Sequence, residues 1–256
     1  MDISGKNILI TGASTGIGYE LALQLADYNC NLFLTARRKE LLDALADKIR
    51  HKCNVVVYQS DVSNKEDTSH TYKKIINEFG SIDIAILNAG IDQKTRISNF
   101  NSDDAARTMG VNFFGLVNWI ELLLPVFMKE KRGMIVGVTS LADARGFPGS
   151  GYYCASKSAA SHLLESIRVD LKKYNVKVIT VKPGFVKTPM TDRNEFQMPF
   201  LMEVDKAVKI MIKGIIKEKS VIEFPFMTSI STKILKCMPY SLFEFLFSRE
   251  LKKRKS

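Results

Sequence analysis

Short apolar runs alternate with longer segments of helical periodicity along the first 225 residues of the chain. Such runs are typical of strands buried in a parallel sheet. The predicted strands are 7–11, 31–36, 55–58, 82–87, 134–139, 176–181 and 220–224. The segments between them predict helices. This alternation predicts an α/β fold with right-handed crossovers onto one parallel sheet.

Helix-capping and helix-breaking residues refine this pattern. Asn64 is placed to cap a helix that ends at Gly80. Residues 103–131 predict one long helix or a broken pair, disturbed at Pro125. The most apolar part of this segment, 113–128, carries polar and charged residues, so it predicts a buried helix rather than a membrane span.

The composition narrows the class of protein. The chain has 256 residues, of which 46% are hydrophobic and 25% charged, as in ordinary soluble domains. Its four cysteines and three histidines are scattered without ligand spacing, which argues against a metal site or a disulfide framework and favours a reducing compartment. The first residues show no secretory signal, so we expect a cytoplasmic protein.

The net charge of +10 admits anionic small molecules, anionic lipid or nucleic acid as partners. The basic residues are spread along the chain except for the run 252–255. Because no basic stripe is interleaved with aromatic residues, nucleic acid is not an expected partner.

A glycine-rich turn follows the first predicted strand. The sequence Gly12-Ala-Ser-Thr-Gly16-Ile-Gly18 leads directly into a segment with helical spacing. A strand, a glycine turn and a helix in this order build a phosphate site, because glycine lets the backbone approach a pyrophosphate and the helix N-terminus supplies N–H groups. The spacing differs from the usual dinucleotide fingerprint, so a turn without a ligand stays open as an alternative.

Two arginines follow the second predicted strand. Dinucleotide folds that bind NAD usually place an acidic residue at the end of this strand to hold the ribose 2′-hydroxyl. This chain has Ala36 there, followed by Arg37 and Arg38. A guanidinium matches a 2′-phosphate in charge and donor geometry, which favours NADP(H) over NAD(H). The alternative is that both arginines start the next helix and face water.

Tyr153 and Lys157 lie four residues apart. On a helix these side chains share one face, and a cation beside a phenol favours the phenolate and lowers the phenol's pKa. A tyrosine with a lowered pKa can transfer protons near neutral pH. By itself the pair is a weak signal, because the same spacing occurs in many helices with a half-buried tyrosine and a solvated lysine.

Several short motifs occur together, in one order, between residues 6 and 188. They are Thr11-Gly-Ala-Ser-Thr-Gly-Ile-Gly18, Asp61-Val62, Asn88-Ala-Gly90, Asn112, Ser140, Tyr153-x-x-x-Lys157 and Pro183-Gly-x-x-x-Thr188. With this combination the chain resembles the short-chain dehydrogenase/reductase family, in its shorter single-domain branch. The resemblance implies a Rossmann-type, doubly wound sheet of about seven parallel strands with helices on both faces. It also implies a nicotinamide cofactor and reversible carbonyl–alcohol chemistry.

The same resemblance implies four catalytic roles. Tyr153 would be the general acid in reduction and the base in oxidation, while Lys157 would lower its pKa and hold the nicotinamide ribose. Ser140 would hydrogen-bond the substrate oxygen. Asn112 would hold a water that relays protons between Lys157 and bulk solvent. Tyr152 lacks the four-residue spacing to Lys157 and is not expected to carry the proton.

Further residues are expected to contact the cofactor. By the resemblance, Asp61 would meet the adenine, Asn88 would brace the central strand, and Thr188 would reach the carboxamide or a phosphate. The predicted cofactor contacts are Gly12, Ser14, Thr15, Gly16, Ile17, Gly18, Arg37, Arg38, Asp61, Val62, Asn88, Ala89, Gly90, Tyr153, Lys157, Pro183, Gly184, Val186 and Thr188.

The segment 189–203 is rich in methionine and phenylalanine, and by the resemblance it would be a mobile substrate lid. These side chains make an adaptable apolar wall. Phe147, Phe185 and Met190 are therefore candidates for substrate contact together with Ser140. A hydrophobic substrate follows as a hypothesis, although core packing explains several of these residues equally well.

Residues 226–256 extend beyond the alternating pattern and predict two further helices. Pro239 would stop the first, and Ser241 is placed to cap the second, which is closed by the basic run 252–255. One interpretation is an interfacial anchor whose apolar residues enter the lipid headgroup region. The other is packing over the chain's own substrate pocket or across a dimer. We favour packing, because apolar terminal helices are more often buried in protein.

These observations predict an NADP(H)-dependent oxidoreductase that interconverts a ketone or aldehyde and an alcohol, on a hydrophobic substrate. The catalytic domain would span residues 1–225, followed by the helical extension. The alternative is a regulator or scaffold that binds NADP(H) without turnover. By the resemblance, the long helices near 103–131 and 152–174 would form a homodimer or homotetramer. Peripheral membrane contact through the extension stays open.

Overall fold

Seven parallel strands form one sheet in the described part of the chain. The computed structural model describes residues 1–194 and 196–253, with side chains described up to Ser248. The strands are β1 (Asn7–Thr11), β2 (Asn31–Ala36), β3 (Val55–Gln59), β4 (Ile84–Leu87), β5 (Met134–Val138), β6 (Lys177–Pro183) and β7 (Val221–Phe224). Their order is β3-β2-β1-β4-β5-β6-β7, and every neighbouring pair is parallel. The predicted doubly wound sheet is confirmed.

Helices cover both faces of this sheet. They are α1 (Gly16–Leu25), α2 (Lys39–Ile49), α3 (Lys65–Phe79), α4 (Ser102–Met109), α5 (Gly115–Glu130), α6 (Gly151–Asp170), α7 (Val204–Ile216), α8 (Phe226–Cys237) and α9 (Tyr240–Lys253). Because side chains alternate along a strand, Ile8 and Ile10 of β1 face one core while Leu9 faces the other. The first core is completed by α1, α2 and α7, and the second by α3, α5 and α6.

Local sequence signals set both ends of α3. The Asn64 side chain accepts hydrogen bonds from the backbone N–H groups of Glu66 (2.9 Å) and Asp67 (3.1 Å). Gly80 ends the helix with a φ of 76°. This left-handed conformation strains residues that carry a side chain, and glycine avoids that strain. Both predicted ends are confirmed.

The long helical segment between β4 and β5 is irregular at a place that the sequence pattern did not indicate. A π-helical turn, Gly110–Phe114, joins α4 to α5, and the Gly115 N–H bonds to the carbonyl of Gly110. Pro125, the predicted point of disturbance, lies within α5, which continues past it. That prediction was wrong because Pro125 is on the exposed side of α5, where water can satisfy the carbonyl left without a partner.

Residues Ser102–Glu130 are, by length and composition alone, long and apolar enough to cross a membrane. Within α5, however, Trp119, Leu123 and Phe127 are buried in the second core against strand residues. This packing agrees with the prediction that residues 113–128 form a buried helix rather than a membrane span.

The C-terminal extension packs back onto the loop that follows β5. Arg145 in this loop donates a hydrogen bond to the Met238 carbonyl (2.6 Å). Its guanidinium lies 4.7 Å from the ring centroids of Tyr240 and Phe243. These contacts agree with the interpretation that the extension covers its own protein.

The boundary between the two terminal helices is partly as predicted. α8 ends before Pro239, whereas α9 begins at Tyr240, so Ser241 lies inside the first turn. The prediction that Ser241 caps α9 was wrong, because the Phe243 N–H already bonds to the Pro239 carbonyl (3.1 Å). The basic run 252–255 lies outside the described side chains.

Candidate active site

A cavity of about 410 Å³ opens at the carboxyl ends of the strands, where the strand order reverses between β1 and β4. Ligands bind at this position in open α/β sheets. The predicted residues that line it are Gly12, Ser14, Thr15, Gly16, Ile17, Arg37, Arg38, Asp61, Val62, Asn88, Ala89, Gly90, Ser140, Tyr153, Lys157, Pro183, Gly184, Val186, Thr188 and Met190. The fold therefore gathers residues from both halves of the chain into one site.

The glycine-rich turn forms one end of the cavity. Gly12 has a φ of 69°, and a Cβ there would lie 2.7 Å from the Cα of Ala89. A Cβ on Gly18 would lie 2.4 Å from the Gly12 carbonyl oxygen. Neither position accepts a side chain, so the turn stays closely packed below the N-terminus of α1, whose free N–H groups favour an anion.

Hydrogen bonds between β1 and β4 hold this turn in place. The Thr11 hydroxyl accepts from the backbone N–H groups of Asn88 (3.0 Å) and Ala89 (3.1 Å). The Asn88 side-chain amide donates to the carbonyls of Thr11 (3.0 Å) and Gly12 (3.3 Å). Asn88 thus braces the two central strands at the point where the cavity opens.

The two arginines after β2 differ in their surroundings. Arg38 donates to the hydroxyls of Ser14 and Thr15, both at 3.0 Å. Arg37 lies 3.8 Å from a carboxylate oxygen of Asp61. Within the described part of the chain the partners of Arg38 are neutral and no carboxylate pairs with it, whereas Asp61 partly compensates the charge of Arg37.

The Lys157 ammonium is buried beneath the cavity. It donates a hydrogen bond to the Val138 carbonyl (2.9 Å), and Lys157 is only 4% exposed. Burial lowers the pKa of Lys157 from 10.5 to about 8, although the Asp143 carboxylate acts in the opposite direction. Lys157 is therefore charged at neutral pH and loses its proton in mildly alkaline solution.

Tyr153 lies on the same side of α6, with its ring centroid 5.7 Å from Lys157 Nζ. Burial raises the pKa of its phenol, and the nearby carboxylates of Asp92 and Asp143 raise it further. A hydrogen bond with Ser140 lowers the pKa but does not reverse the shift. The predicted lowering of this pKa by Lys157 is thus not found, because desolvation is the larger effect and Lys157 bonds to a backbone carbonyl.

Ser140 and the second tyrosine occupy distinct environments. The Ser140 hydroxyl donates to the Pro183 carbonyl (3.3 Å), and its oxygen accepts from the Ala142 N–H (3.0 Å). The Tyr152 hydroxyl instead accepts from the Asn101 N–H (3.1 Å). Tyr152 does not line the cavity, in keeping with the prediction that it carries no proton.

Asn112 lies behind the cavity rather than on its wall. Its side chain accepts from the Ile91 N–H (2.8 Å) and donates to the Ile91 carbonyl and the Ser156 hydroxyl, both at 2.9 Å. A Cβ on Gly90 would lie 3.3 Å from both Asn112 Oδ1 and Lys157 Nζ. The π-helical turn therefore fixes the carboxamide close to the buried ammonium, and π-helical turns are frequent at functional sites.

Two of the predicted substrate contacts point elsewhere. The Phe147 ring packs against Phe243 (6.2 Å between centroids) and Phe247 (5.8 Å) of α9. The Phe185 ring packs against Phe196 at 5.7 Å. Neither lines the cavity, because their apolar faces are used in packing, and their contact with a substrate stays a prediction. Gly18 is also absent from the lining, since it supports Gly12 from behind.

Sequence reasoning missed several residues of the site. Those lining the cavity are Ala36, Ser60, Ile91, Val111, Val138, Thr139, Pro189 and Thr191. Ala36, Ser60 and Thr139 could have been found, because they follow or end strands at the carboxyl edge of the sheet. Val138 ends β5 and shares this signal, but nothing in the sequence indicates that its backbone carbonyl accepts the hydrogen bond from Lys157.

A partly buried ion pair behind the site also had no signal in the sequence. The Asp143 carboxylate, whose side chain is 8% exposed, lies 2.8 Å from Lys182 Nζ and accepts a hydrogen bond from the Ser161 hydroxyl. Asp143 and Lys182 are far apart in the chain and meet only because β5 pairs with β6. The pair joins the loop after Ser140 to β6 and α6.

Residues 6–198 match the short chain dehydrogenase family. The chain belongs to the short-chain dehydrogenase/reductase family. An uncharacterized oxidoreductase of Myxococcus xanthus is 36% identical over 244 residues, which cover 95% of this chain and 96% of the relative. The 11-beta-hydroxysteroid dehydrogenase-like 3 of Arabidopsis thaliana is 34% identical over 232 residues, covering 88% of this chain and 74% of the relative.

Solved structures share the fold of this short-chain dehydrogenase/reductase. A short-chain dehydrogenase from Sphingobium yanoikuyae in complex with NADPH superposes with a TM-score of 0.80 at 26% identity, over 92% of this chain and 97% of that one. A family member from Burkholderia phymatum in complex with NAD gives 0.84 at 22% identity, over 96% of both chains. Bound NAD and NADPH thus both occur among its structural neighbours.

The variant Lys157→Met is expected to raise the free energy of unfolding at pH 7. The folded-state pKa of about 8 lies below the ordinary 10.5, so the folded protein binds this proton more weakly than the unfolded chain does. The resulting penalty is complete below pH 8 and vanishes as the pH approaches 10.5. This penalty corresponds to about 3 kcal/mol. The variant also loses the hydrogen bond to Val138, which reduces its gain in stability by about 1 kcal/mol.

Urea unfolding at pH 7 and at pH 10 measures this effect. A net gain of about 2 kcal/mol is expected at pH 7, and it should shrink at pH 10. The exposed Lys213, replaced in the same way, is the matched control and should show no pH-dependent gain. Equal stability of the Lys157→Met variant and the wild type at pH 7 would contradict the burial penalty.

Proposed function

We propose that this short-chain dehydrogenase/reductase is an NADP(H)-dependent oxidoreductase that interconverts a ketone or aldehyde and an alcohol. The observation that carries the proposal is the placement of Tyr153, Ser140 and Lys157 at one end of a cavity whose other end is a glycine-rich turn. Family membership supports an oxidoreductase, while the proton chemistry rests on the contacts of these three side chains.

The residues present fit a dinucleotide. A Cβ at Gly12 or Gly18 would collide with neighbouring backbone, so glycine keeps the turn closely packed at the N-terminus of α1, whose N–H groups favour a pyrophosphate. Ser14, Thr15 and Thr188 add hydroxyls around it, and Asp61 and Val62 would border the adenine. When bound, the cofactor supplies or accepts the hydride, and the chain's own residues place the substrate and handle the proton.

Tyr153 is the proposed general acid in reduction. Its raised pKa keeps the phenol protonated in the ligand-free enzyme, which is the form that donates a proton to a developing alkoxide. Ser140 hydrogen-bonds the same phenol and would hold the substrate oxygen beside it. The charged Lys157 then stabilises the phenolate that remains after proton transfer.

Asn112 and Gly90 support this proton transfer from behind. Both donors of the Asn112 amide are used, but its oxygen retains a second lone pair beyond the bond from Ile91. We place a relay water between Asn112 Oδ1 and Lys157 Nζ, because Gly90 keeps side-chain atoms out of the space that both border. Through this water the site would recover its proton from bulk solvent.

The variant Tyr153→Phe is expected to lower kcat by 10²–10⁴-fold, because it removes the general acid and little volume. Binding of NADPH, followed by its fluorescence, should stay within a few-fold of wild type. The matched control is Tyr152→Phe, which removes the neighbouring hydroxyl and should retain most of the activity. A Tyr153→Phe protein with undiminished turnover would remove this acid from the mechanism.

The preference for NADP(H) is proposed to rest mainly on Arg38, with Arg37 in support. Arg38 is held by two hydroxyls at the edge of the turn and has neutral partners, which leaves its charge available to a 2′-phosphate. Arg37 is the weaker candidate for binding the 2′-phosphate, because the Asp61 carboxylate lies 3.8 Å away and partly compensates its charge.

Replacing this guanidinium tests the assignment. Arg38→Ser should weaken NADPH binding by roughly 10–100-fold, the value of a charge-assisted hydrogen bond, while NADH binding changes little. Arg50→Ser, on an exposed arginine paired with Asp47, is the control and should leave both affinities unchanged. An unaltered ratio of NADPH to NADH affinity in the Arg38 variant would refute the assignment.

We propose a hydrophobic substrate, on the apolar character of the cavity near Met190 and of the segment 189–203 around it. Val186 pairs with Met202 across this segment, and Lys94 bonds to the Asn194 side chain (2.5 Å), so both of its ends contact the catalytic domain. Apolar ketones should therefore give higher kcat/KM with NADPH than small polar ketones of equal reactivity. Turnover of polar ketones alone would exclude this substrate class.

We further propose a homo-oligomer in a reducing, cytoplasmic compartment. The free cysteines of the described chain fit such a compartment. Phe114 and Val169, on the helical segments predicted to form the interface, are 52% and 63% exposed and would become buried there. Analytical ultracentrifugation of the full chain reports the oligomeric state, and a monomer at micromolar concentration would refute this part.

A further inference from the structure

The helix α8 has its amphipathic pattern reversed. Its exposed side carries Phe226, Met227, Ile230 and Ile234, which are 75%, 50%, 37% and 61% exposed. Its buried side carries small polar residues, Thr228, Ser229 and Thr232. A helix on the surface of a water-soluble protein normally turns its large apolar side chains inward.

Close packing on the inner side explains why these polar residues are small. A Cβ on Gly184, which lines the cavity, would lie 3.1 Å from Thr228 Cγ2. Ser229 donates to a carboxylate oxygen of Glu223 (2.6 Å), and Thr232 donates to the Ser229 carbonyl (3.0 Å). The inner face thus has no room for large side chains, but it does not explain why the outer face is apolar.

The exposed apolar surface continues on α9. Phe243 and Phe247 of this helix pack on the protein, with ring centroids 4.4 Å apart. On its other sides Tyr240, Leu242 and Leu246 are 78%, 45% and 44% exposed. The two terminal helices therefore each bury one face in the protein and present large apolar side chains on another.

The charge of the extension distinguishes between two occupants of this surface. Residues 226–256 contain seven lysine and arginine residues against two glutamates, which is half of the net charge of +10. Lys233 and Lys236 are exposed on α8 itself; Lys233 pairs with Glu223 (2.5 Å), whereas Lys236 has no ion pair among the described residues. A second copy of the chain would bring the same positive charge to the same surface, which like-charge repulsion opposes. An anionic lipid surface complements it.

We propose that the outer face of α8, continued by α9, docks the protein on the surface of an anionic lipid bilayer. Phe226, Met227, Ile230 and Ile234 enter the boundary between headgroups and acyl chains, where apolar faces of interfacial helices are buried. Lys236 meets an anionic headgroup. The protein lies on the membrane without crossing it, and its inner α8 face stays packed on the wall of the cavity at Gly184.

Vesicle sedimentation of the full-length protein tests this proposal. Wild type should sediment with phosphatidylcholine vesicles that contain phosphatidylserine, more weakly with phosphatidylcholine alone, and more weakly at high salt. The variant Phe226→Ser/Ile234→Ser should bind at least about tenfold more weakly, because it lacks two apolar side chains that become buried in the bilayer on binding. Both positions are exposed, so NADPH binding should remain as in wild type.

A matched control separates this surface from general hydrophobicity. Ile97→Ser/Phe100→Ser changes an isoleucine and a phenylalanine that are 82% and 65% exposed elsewhere on the protein, against 61% and 75% for the α8 pair. It should bind vesicles as wild type does. A second α8 variant, Lys236→Glu, should lower binding to the anionic vesicles by about fivefold or more, from the electrostatic value of one lysine near such a surface.

Three results would overturn the proposal. The first is no binding of wild type to anionic vesicles, and the second is equal binding by the Phe226→Ser/Ile234→Ser variant. The third is a wild-type dimer in analytical ultracentrifugation that this variant alone dissociates, with no change in vesicle binding. That outcome would assign the face to a second copy of the chain.

Discussion

Burial of one ammonium group is the constraint on which the site depends. Lys157 remains charged beneath the cavity because the Val138 carbonyl accepts a hydrogen bond from its ammonium and the Asp143 carboxylate lies nearby. Gly90 lacks the side chain that would crowd it, and the π-helical turn carries Asn112 to its side. The lowered pKa of Lys157, about 8, reflects the desolvation of this ammonium, and such shifts are frequent at functional sites.

The loop between Ser140 and Tyr153 connects that site to the rest of the molecule. Asp143 ties it to β6 through Lys182, while Arg145 and Phe147 tie it to the terminal helices. The C-terminal extension is therefore part of the support of the catalytic end, although it lies outside the alternating strands and helices. The same loop begins at Ser140, the residue proposed to hydrogen-bond the substrate oxygen.

Particular elements show where reading the sequence succeeded. The glycine turn, the strand ends and the Asn64 cap depend on chemistry that is local, so residues near in sequence were enough. It failed where the decisive neighbour is distant. Phe185 is apolar like Met190, but only the fold shows that Phe196 covers one of them while the other lines the cavity.

The sequence by itself determined the alternation of strands and helices, the parallel sheet and the set of polar residues at its carboxyl edge, because periodicity and turn chemistry are local properties. Only the tertiary structure decided the electrostatics. The pKa of Tyr153 rises because burial outweighs the hydrogen bond with Ser140. Among the described residues Asp61 pairs with Arg37, whereas the partners of Arg38 are neutral hydroxyls. Desolvation and ion pairing depend on distances between residues remote in the chain, and no local pattern contains those distances.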